Sequence, residues 1–275
     1  MHPDVSEAAP GACPRCGMTL VPVDRLAMLE YRLDVETSPQ PVAGRPIRLT
    51  LTVRDANTTA IVRDFAVVHE RRFHLFVLSQ DLNHYDHVHP EQQPDGSFTL
   101  DITLPREGYY KLFADFLPEG GTPQVIPRTI VTQGFTGDLS SSMARLVPDD
   151  VLRKIAGHMS VQLTLPGSGL VAGRDEKFAY HLTDARTGQP VRDVEPYLGA
   201  WGHSLIMSED TQHFVHAHPV EQLPEQAAAQ GGPDLTFKAM LPKPGRYRIW
   251  TQIKRGGVVS TATFTVAVSS PSAQQ

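Results

Sequence analysis

Apolar and polar residues alternate with a period of two along most of this chain. The segments YRLDVET (31–37), IRLTLTV (47–53), FTLDITL (98–104), YYKLFADF (109–116) and RTIVTQG (128–134) show it, with Gly, Pro and Asp between them. The second half repeats the habit in SVQLTLP (160–166), KFAYHLT (177–183), LTFKAML (235–241), RYRIWTQI (246–253) and ATFTVAV (262–268). Successive side chains of a strand point to opposite faces, so each segment predicts a strand with one buried face. Short strands at intervals of roughly ten residues predict an all-β antiparallel sandwich. The one helix of note is predicted at PDDVLRKIAG (148–157), with Asp149 or Asp150 as cap and Gly157 as stop.

The pattern occurs twice. VAGR stands at 42–45 and again at 171–174, 129 residues later, and that offset holds to Pro90 and Pro219. Over 42–90 there are 17 identities in 49 positions. Past this stretch LPREGYYKLFADF (104–116) resembles LPKPGRYRIWTQI (241–253), now 137 residues on. The extra residues fall in the Gln/Ala/Gly-rich stretch near 222–234, as expected of a surface loop. The chain therefore predicts two tandem antiparallel Ig-like sandwiches, at 28–134 and 155–268, after a small N-terminal module at 1–24. Pro-x-x-Gly-x-Tyr before a long strand fits the turn into a late strand of such sandwiches.

Within the repeat lies HLFVLSQDLNHYDHVHP (74–90), and its twin is HSLIMSEDTQHFVHAHP (203–219). His74, His84, His87 and His89 correspond one to one with His203, His213, His216 and His218. Each 49-residue window holds only five histidines, yet four coincide. The packing positions between them have drifted: Phe76 is Leu205, Val77 is Ile206 and Leu78 is Met207. Retained histidines amid drifting core residues point to a task that packing does not require.

A hairpin of 74–79 and 84–89 would place residue i opposite 163 − i. His74 then faces His89, Phe76 faces His87 and Leu78 faces Tyr85. His74, His87 and His89 share one face, with cross-strand Cβ atoms about 5 Å apart. Converging neutral imidazoles suit Cu(II) or Zn(II). His84 and His213 fall on the other face unless a bulge turns them, and stand as fourth ligands or turn residues. Met207 adds a thioether to the histidine face of the second copy, a donor that favours Cu(I) and is also ordinary core filler. His69, His158 and His181 have no counterpart and are expected at the surface or in the core.

Composition narrows the function. The chain has 275 residues, 40% hydrophobic and 20% charged, with net charge −5. That suffices for packed cores and gives no basic patch for nucleic acid. Two cysteines make no disulfide framework. No apolar run reaches membrane-spanning length, and 1–20 lacks the apolar core of a secretory signal.

The two cysteines form Cys13-x-x-Cys16, a chelating or redox pair, with His2 and Met18 as further donors nearby. Redox pairs usually open a helix in a βαβ unit, and none follows here. Residues 1–22, MHPDVSEAAPGACPRCGMTLVP, resemble the small bacterial heavy-metal-binding domain with the pattern CPMHPEV then PGKCPKCGM-x-L-x-P. The match runs through Met1-His2-Pro3, Val5, Pro10-Gly11, Cys13-Pro14, Cys16-Gly17-Met18, Leu20 and Pro22. The family's Cys-Pro before Met-His-Pro is absent, so the chain begins inside the motif or the site has lost a ligand. Such modules sit at the ends of copper, silver and other heavy-metal efflux components, and the resemblance implies metal binding. The sandwich copies also resemble extracytoplasmic Ig-like repeats that follow this module in some bacterial proteins.

The leading expectation is a non-enzymatic protein that sequesters, buffers or transfers copper, with zinc as the other candidate ion. Its expected partners are metal ions and a metal-efflux component, without nucleic acid, and with membrane contact only through an anchor outside the given chain. Its expected place is periplasmic or membrane-anchored, with the export signal outside the given chain, or cytoplasmic if Met1 is the true start. One alternative is a copper metalloenzyme of superoxide dismutase or cupin type. A cupin wants a Glu a few residues past His-x-His and a His on a late strand; Glu91 is too close, and 108–116 and 245–253 hold no His. The other alternative is an Ig-like interaction module with incidental histidines.

Overall fold

A computed structural model describes residues 5, 7–9, 11, 13, 20, 30–224 and 229–271. The chain divides into two compact units, Val21–Ala144 and Arg145–Gln275 with Met1–Leu20.

The first unit holds β1 (Tyr31–Ser38), β2 (Pro46–Asp55), β3 (Phe73–Ser79), β4 (Tyr85–Val88), β5 (Glu91–Gln92), β6 (Phe98–Thr103), β7 (Tyr109–Phe116) and β8 (Gln124–Val131). They form two antiparallel sheets, ordered β1-β2-β6-β5 and β4-β3-β7-β8. Alternation in β2 puts Ile47, Leu49, Leu51 and Val53 inward, against Phe73, Leu75, Val77, Leu112 and Ala114 of the other sheet. Phe73 stacks on Phe116 at 5.2 Å and tilts onto Phe98 at 4.7 Å, the centre of this core.

The second unit holds β9 (Arg153–Ala156), β10 (Met159–Thr164), β11 (Leu170–Val171), β12 (Asp175–Asp184), β13 (Val194–Glu195), β14 (His203–Ser208), β15 (Phe214–Ala217), β16 (Asp234–Met240), β17 (Gly245–Arg255) and β18 (Val258–Ser269). One sheet runs β16-β12-β10-β9; the other runs β11-β18-β17-β14-β15, with β13 beside β17. All pairings are antiparallel except β11 with β18. Phe178, Tyr180, Phe237, Ile249 and Phe264 centre the core. The all-β sandwich reading therefore holds.

Each unit has a tyrosine at the start of its long strand whose hydroxyl donates to the carbonyl four residues back. Tyr110 reaches Arg106 at 2.9 Å and Tyr247 reaches Lys243 at 2.8 Å. This is the tyrosine corner of Ig-type sandwiches, and it explains the Pro-x-x-Gly-x-Tyr pattern.

The expected helix at 148–157 is not formed; residues 153–156 are β9, paired with β10. The Asp149 carboxylate, read as a helix cap, instead accepts from the Thr265 N–H at 2.7 Å, and its own N–H donates to the Thr265 carbonyl. Exposure alternates along the strand, with Ile155 out and Ala156 in, so tertiary pairing overrides a weak helical propensity. The helix among the described residues is α1 (Leu139–Ser142), capped by Asp138.

Antiparallel sandwiches usually leave one sheet face wet. Here β3 and β14 are buried at every position. His74 and His203 lie on these strands, on the face turned away from the core, and the other histidines of the repeat lie on or beside the neighbouring strands β4 and β15.

Candidate metal centre

The register of the first hairpin is the predicted one. Phe76 opposes His87 and Leu78 opposes Tyr85, so His89 comes opposite His74 just past the end of β4. The second hairpin repeats this, with Leu205 opposite His216 and Met207 opposite Phe214. A shared turn sets both registers. Ser79 Oγ accepts from the N–H groups of Asn83 (3.2 Å) and His84 (2.9 Å) and donates to the Asp81 carboxylate. Ser208 does the same with Gln212 (3.2 Å), His213 (2.9 Å) and Asp210. Leu82 and Thr211 take φ of 56° and 59°, closing the loop in the left-handed region.

Three imidazoles converge in each unit. His74, His87 and His89 bring one nitrogen each to within 4.8 Å of one another, as do His203, His216 and His218. His74 Nδ1 lies 3.1 Å from His87 Nε2 and 3.2 Å from His89 Nε2. His203 Nδ1 lies 3.2 Å from His216 Nε2. Zinc–imidazole bonds of about 2.0–2.1 Å with tetrahedral angles put ligand nitrogens about 3.3 Å apart. The pairs that His74 makes with His87 and His89, and His203 with His216, thus stand close to bonding separation for one small ion.

The tautomer is fixed from behind. His74 Nε2 donates to the Val68 carbonyl at 2.9 Å, and His203 Nε2 donates to the Tyr197 carbonyl at 2.9 Å. A carbonyl only accepts, so Nε2 carries the proton and Nδ1 presents a lone pair toward the other two imidazoles. A ligand histidine whose second nitrogen is held by a backbone carbonyl is the usual outer-shell arrangement at metal sites. The carbonyls come from matched tight turns. Val68 and Arg71 pair around His69 (φ 48°) and Glu70 (φ 63°); Tyr197 and Ala200 pair around Leu198 (φ 50°) and Gly199 (φ 70°). These turns share no identical residue, so nothing in the side chains signalled them.

The surroundings suit neutral ligands. Burial lowers the His74 pKa, partly opposed by the bond to Val68 and by Asp115, so the ring is neutral and ligand-competent at neutral pH. Phe76 stacks on His87 at 4.2 Å and 13°, locking its plane. Asp115 sits directly across the β3–β7 ladder from His74. It is half-buried, and lost solvation raises its carboxyl to about 6 against the pull of His74 and His69. The equivalent position in the second unit is Gln252, opposite His203.

The other candidates fall elsewhere. His84 is outside the triad: its Nε2 meets Asp86 at 2.9 Å and its ring lies edge-on to Tyr110. The structure uses the His84 and His213 backbone N–H groups in the turn, and neither side chain joins the converged nitrogens. Met207 stands four residues along β14 from His203, fully buried. Of the N-terminal donors, Cys13 is buried, and His2, Cys16 and Met18 lie outside the described residues. His69 lies in the turn beside the first triad, His158 is exposed, and His181 pairs with Asp234 at 2.7 Å.

Comparison with known proteins places the chain. It belongs to the family described as a domain of unknown function, DUF8832, whose sequence model matches residues 28–134 and again 154–270. Residues 1–23 match the heavy metal binding domain. No curated protein matches. Among solved structures, the chain is similar to fibronectin(III)-like modules of Clostridium thermocellum CbhA, at 14% identity over 89% of this chain and 97% of that one, TM-score 0.24. A two-domain fibronectin type III segment of chicken tenascin matches at 11% identity over 86% and 99%, TM-score 0.24. The Escherichia coli adhesin FdeC matches at 12% over 92% and 68%, TM-score 0.26.

Proposed function

We propose that this protein binds copper or zinc ions at its two histidine triads, as well as heavy metal at its N-terminal module. It acts as a binding protein that sequesters, buffers or passes on the ion in the bacterial envelope, next to a metal-efflux component. One observation carries this reading. In both units a carbonyl-held histidine aims its bare Nδ1 at two further imidazoles, at spacings one ion would span. The heavy-metal match at 1–23 supports the same chemistry.

The test is metal analysis and calorimetric titration of the full chain with Cu(II) and Zn(II). The wild type is expected to bind one equivalent per triad beyond whatever the N-terminal module takes. The His87→Ala/His216→Ala double variant should lose both of those equivalents. An unchanged stoichiometry would sink the assignment.

A further inference from the structure

We infer that the two triads are not redundant: the first selects divalent ions and the second accepts Cu(I), and the residue across the ladder from the first histidine makes the difference. This rests on the metal-binding reading above and goes on to assign ion charge to each site.

The donor sets are the same, three imidazoles held by matched hairpins and matched carbonyl turns. Their surroundings differ in charge. Asp115 opposes His74 on the histidine face of the first unit, where the second has Gln252 opposite His203. Directly opposed residues hold their Cβ atoms about 5 Å apart, so a carboxylate at 115 is a near neighbour of any ion on His74. The first site also has His69 in its carbonyl turn, where the second has Leu198.

Exposure differs in the same sense. His89 is half-buried, whereas His203, His216 and His218 are all buried. A doubly charged ion enclosed by three neutral imidazoles keeps an uncompensated charge in a poorly solvating site, which is costly. One carboxylate and a path to water relieve that cost at the first site. At the second, a singly charged ion carries half the charge into the enclosed site, and three imidazole nitrogens suffice for it. Coulomb attraction to a carboxylate scales with the ion's charge, so its loss weakens a divalent ion's binding more than a monovalent ion's.

The test compares Zn(II) affinity by chelator competition with Cu(I) affinity under reducing, anaerobic conditions, at pH 7.5. It uses full-length chains keeping one triad each, His216→Ala for the first and His87→Ala for the second. The N-terminal module is common to every pair compared. In the first background Asp115→Asn should weaken Zn(II) at least about tenfold and leave Cu(I) within about threefold. In the second, Gln252→Glu should strengthen Zn(II) relative to Cu(I) by a similar factor. If metal binds both triads and neither substitution moves the Zn(II):Cu(I) ratio, the charge assignment is overturned and the metal-binding reading stands. If neither background binds more than the His87→Ala/His216→Ala chain, the metal-binding reading itself fails.

Discussion

The two histidine triads are built from the same backbone and differ in what surrounds it. Ser79 and Ser208 close the same turn, with hydrogen bonds to residues four and five positions on that agree to 0.1 Å. Val68 and Tyr197 supply carbonyls at the same distance to the same ring nitrogen. Around this frame Phe76 has become Leu205, Phe113 has become Trp250, and Asp115 has become Gln252. The comparison separates a constrained scaffold from a tunable environment. A turn that must satisfy its own N–H groups tolerates few sequences, while a neighbour of the donor set can change charge without disturbing the donors.

The largest effect is expected where the copies differ most in packing. Phe73 stacks at the centre of the first core, and its counterpart is Gly202, whose Cβ position lies 2.7 Å from the Gln252 carbonyl oxygen. Phe73→Ala should cost about 3–5 kcal/mol by leaving a cavity. Gly202→Ala should destabilise through a backbone clash instead. Denaturant titration of both variants checks this, and a neutral Phe73→Ala would break the account of the first core.

Asp115 gives the next effect, in the metal-free protein. Its folded pKa of about 6 lies above the unfolded value near 3.8, so the folded state binds the extra proton between those pH values. Stability from this group is present below about pH 4 and is lost as pH rises through 6. At 1.36 kcal/mol per unit the loss is at most about 3 kcal/mol. Asp115→Asn should remove this share of the pH dependence and stabilise the chelator-treated protein at pH 7.5, while Gln252→Ala should show no such pH window. Unfolding curves from pH 4 to 8 decide it.

Tyrosine corners should separate the copies by less. The Tyr110 hydroxyl donates to the Arg106 carbonyl and also accepts its N–H at 3.1 Å. The Tyr247 hydroxyl donates to Lys243. Tyr110→Phe and Tyr247→Phe should each cost about 1 kcal/mol, the former more because it strands a second group. Equal losses in urea midpoints would show that the additional N–H contact adds nothing.

The smallest expected change is a gain. Glu70 holds a φ of 63° where the second copy has Gly199 at 70°. Glu70→Gly should relieve left-handed strain and stabilise the first unit by about 0.5–1 kcal/mol with metal affinity unaltered. A thermal midpoint that falls would argue that the Glu70 side chain holds the turn.

Much of this was legible in the chain, and the parts that were not share a cause. Period-two alternation located β1, β2, β6, β7, β8, β10, β12, β16, β17 and β18, because burying one sheet face forces that pattern; β3 and β14, buried at every position, do not show it. The 129-residue offset exposed the repeat, and simple hairpin arithmetic placed His74, His87 and His89 on one face. Other identities proved to serve turns: Gly44 and Gly173 at φ 72° and 76° beneath the Leu104 and Leu241 carbonyls, Asp55 and Asp184 each accepting two N–H groups. The same arithmetic put His84 and His213 on the other face, as fourth ligands or turn residues, and only the fold chooses between these, because a turn residue's direction depends on local backbone angles that a residue name does not carry. The strand at 153–156 was missed because its pairing partner is chosen by tertiary contact. The carbonyls of Val68 and Tyr197 were invisible for the simplest reason: every residue has one, and only three-dimensional placement makes it a ligand holder. The sequence by itself determined the repeat, most of the strands and the three histidines of each cluster; the tertiary structure decided their tautomer, their enclosure and the charge beside them, which arise from groups far apart in the chain.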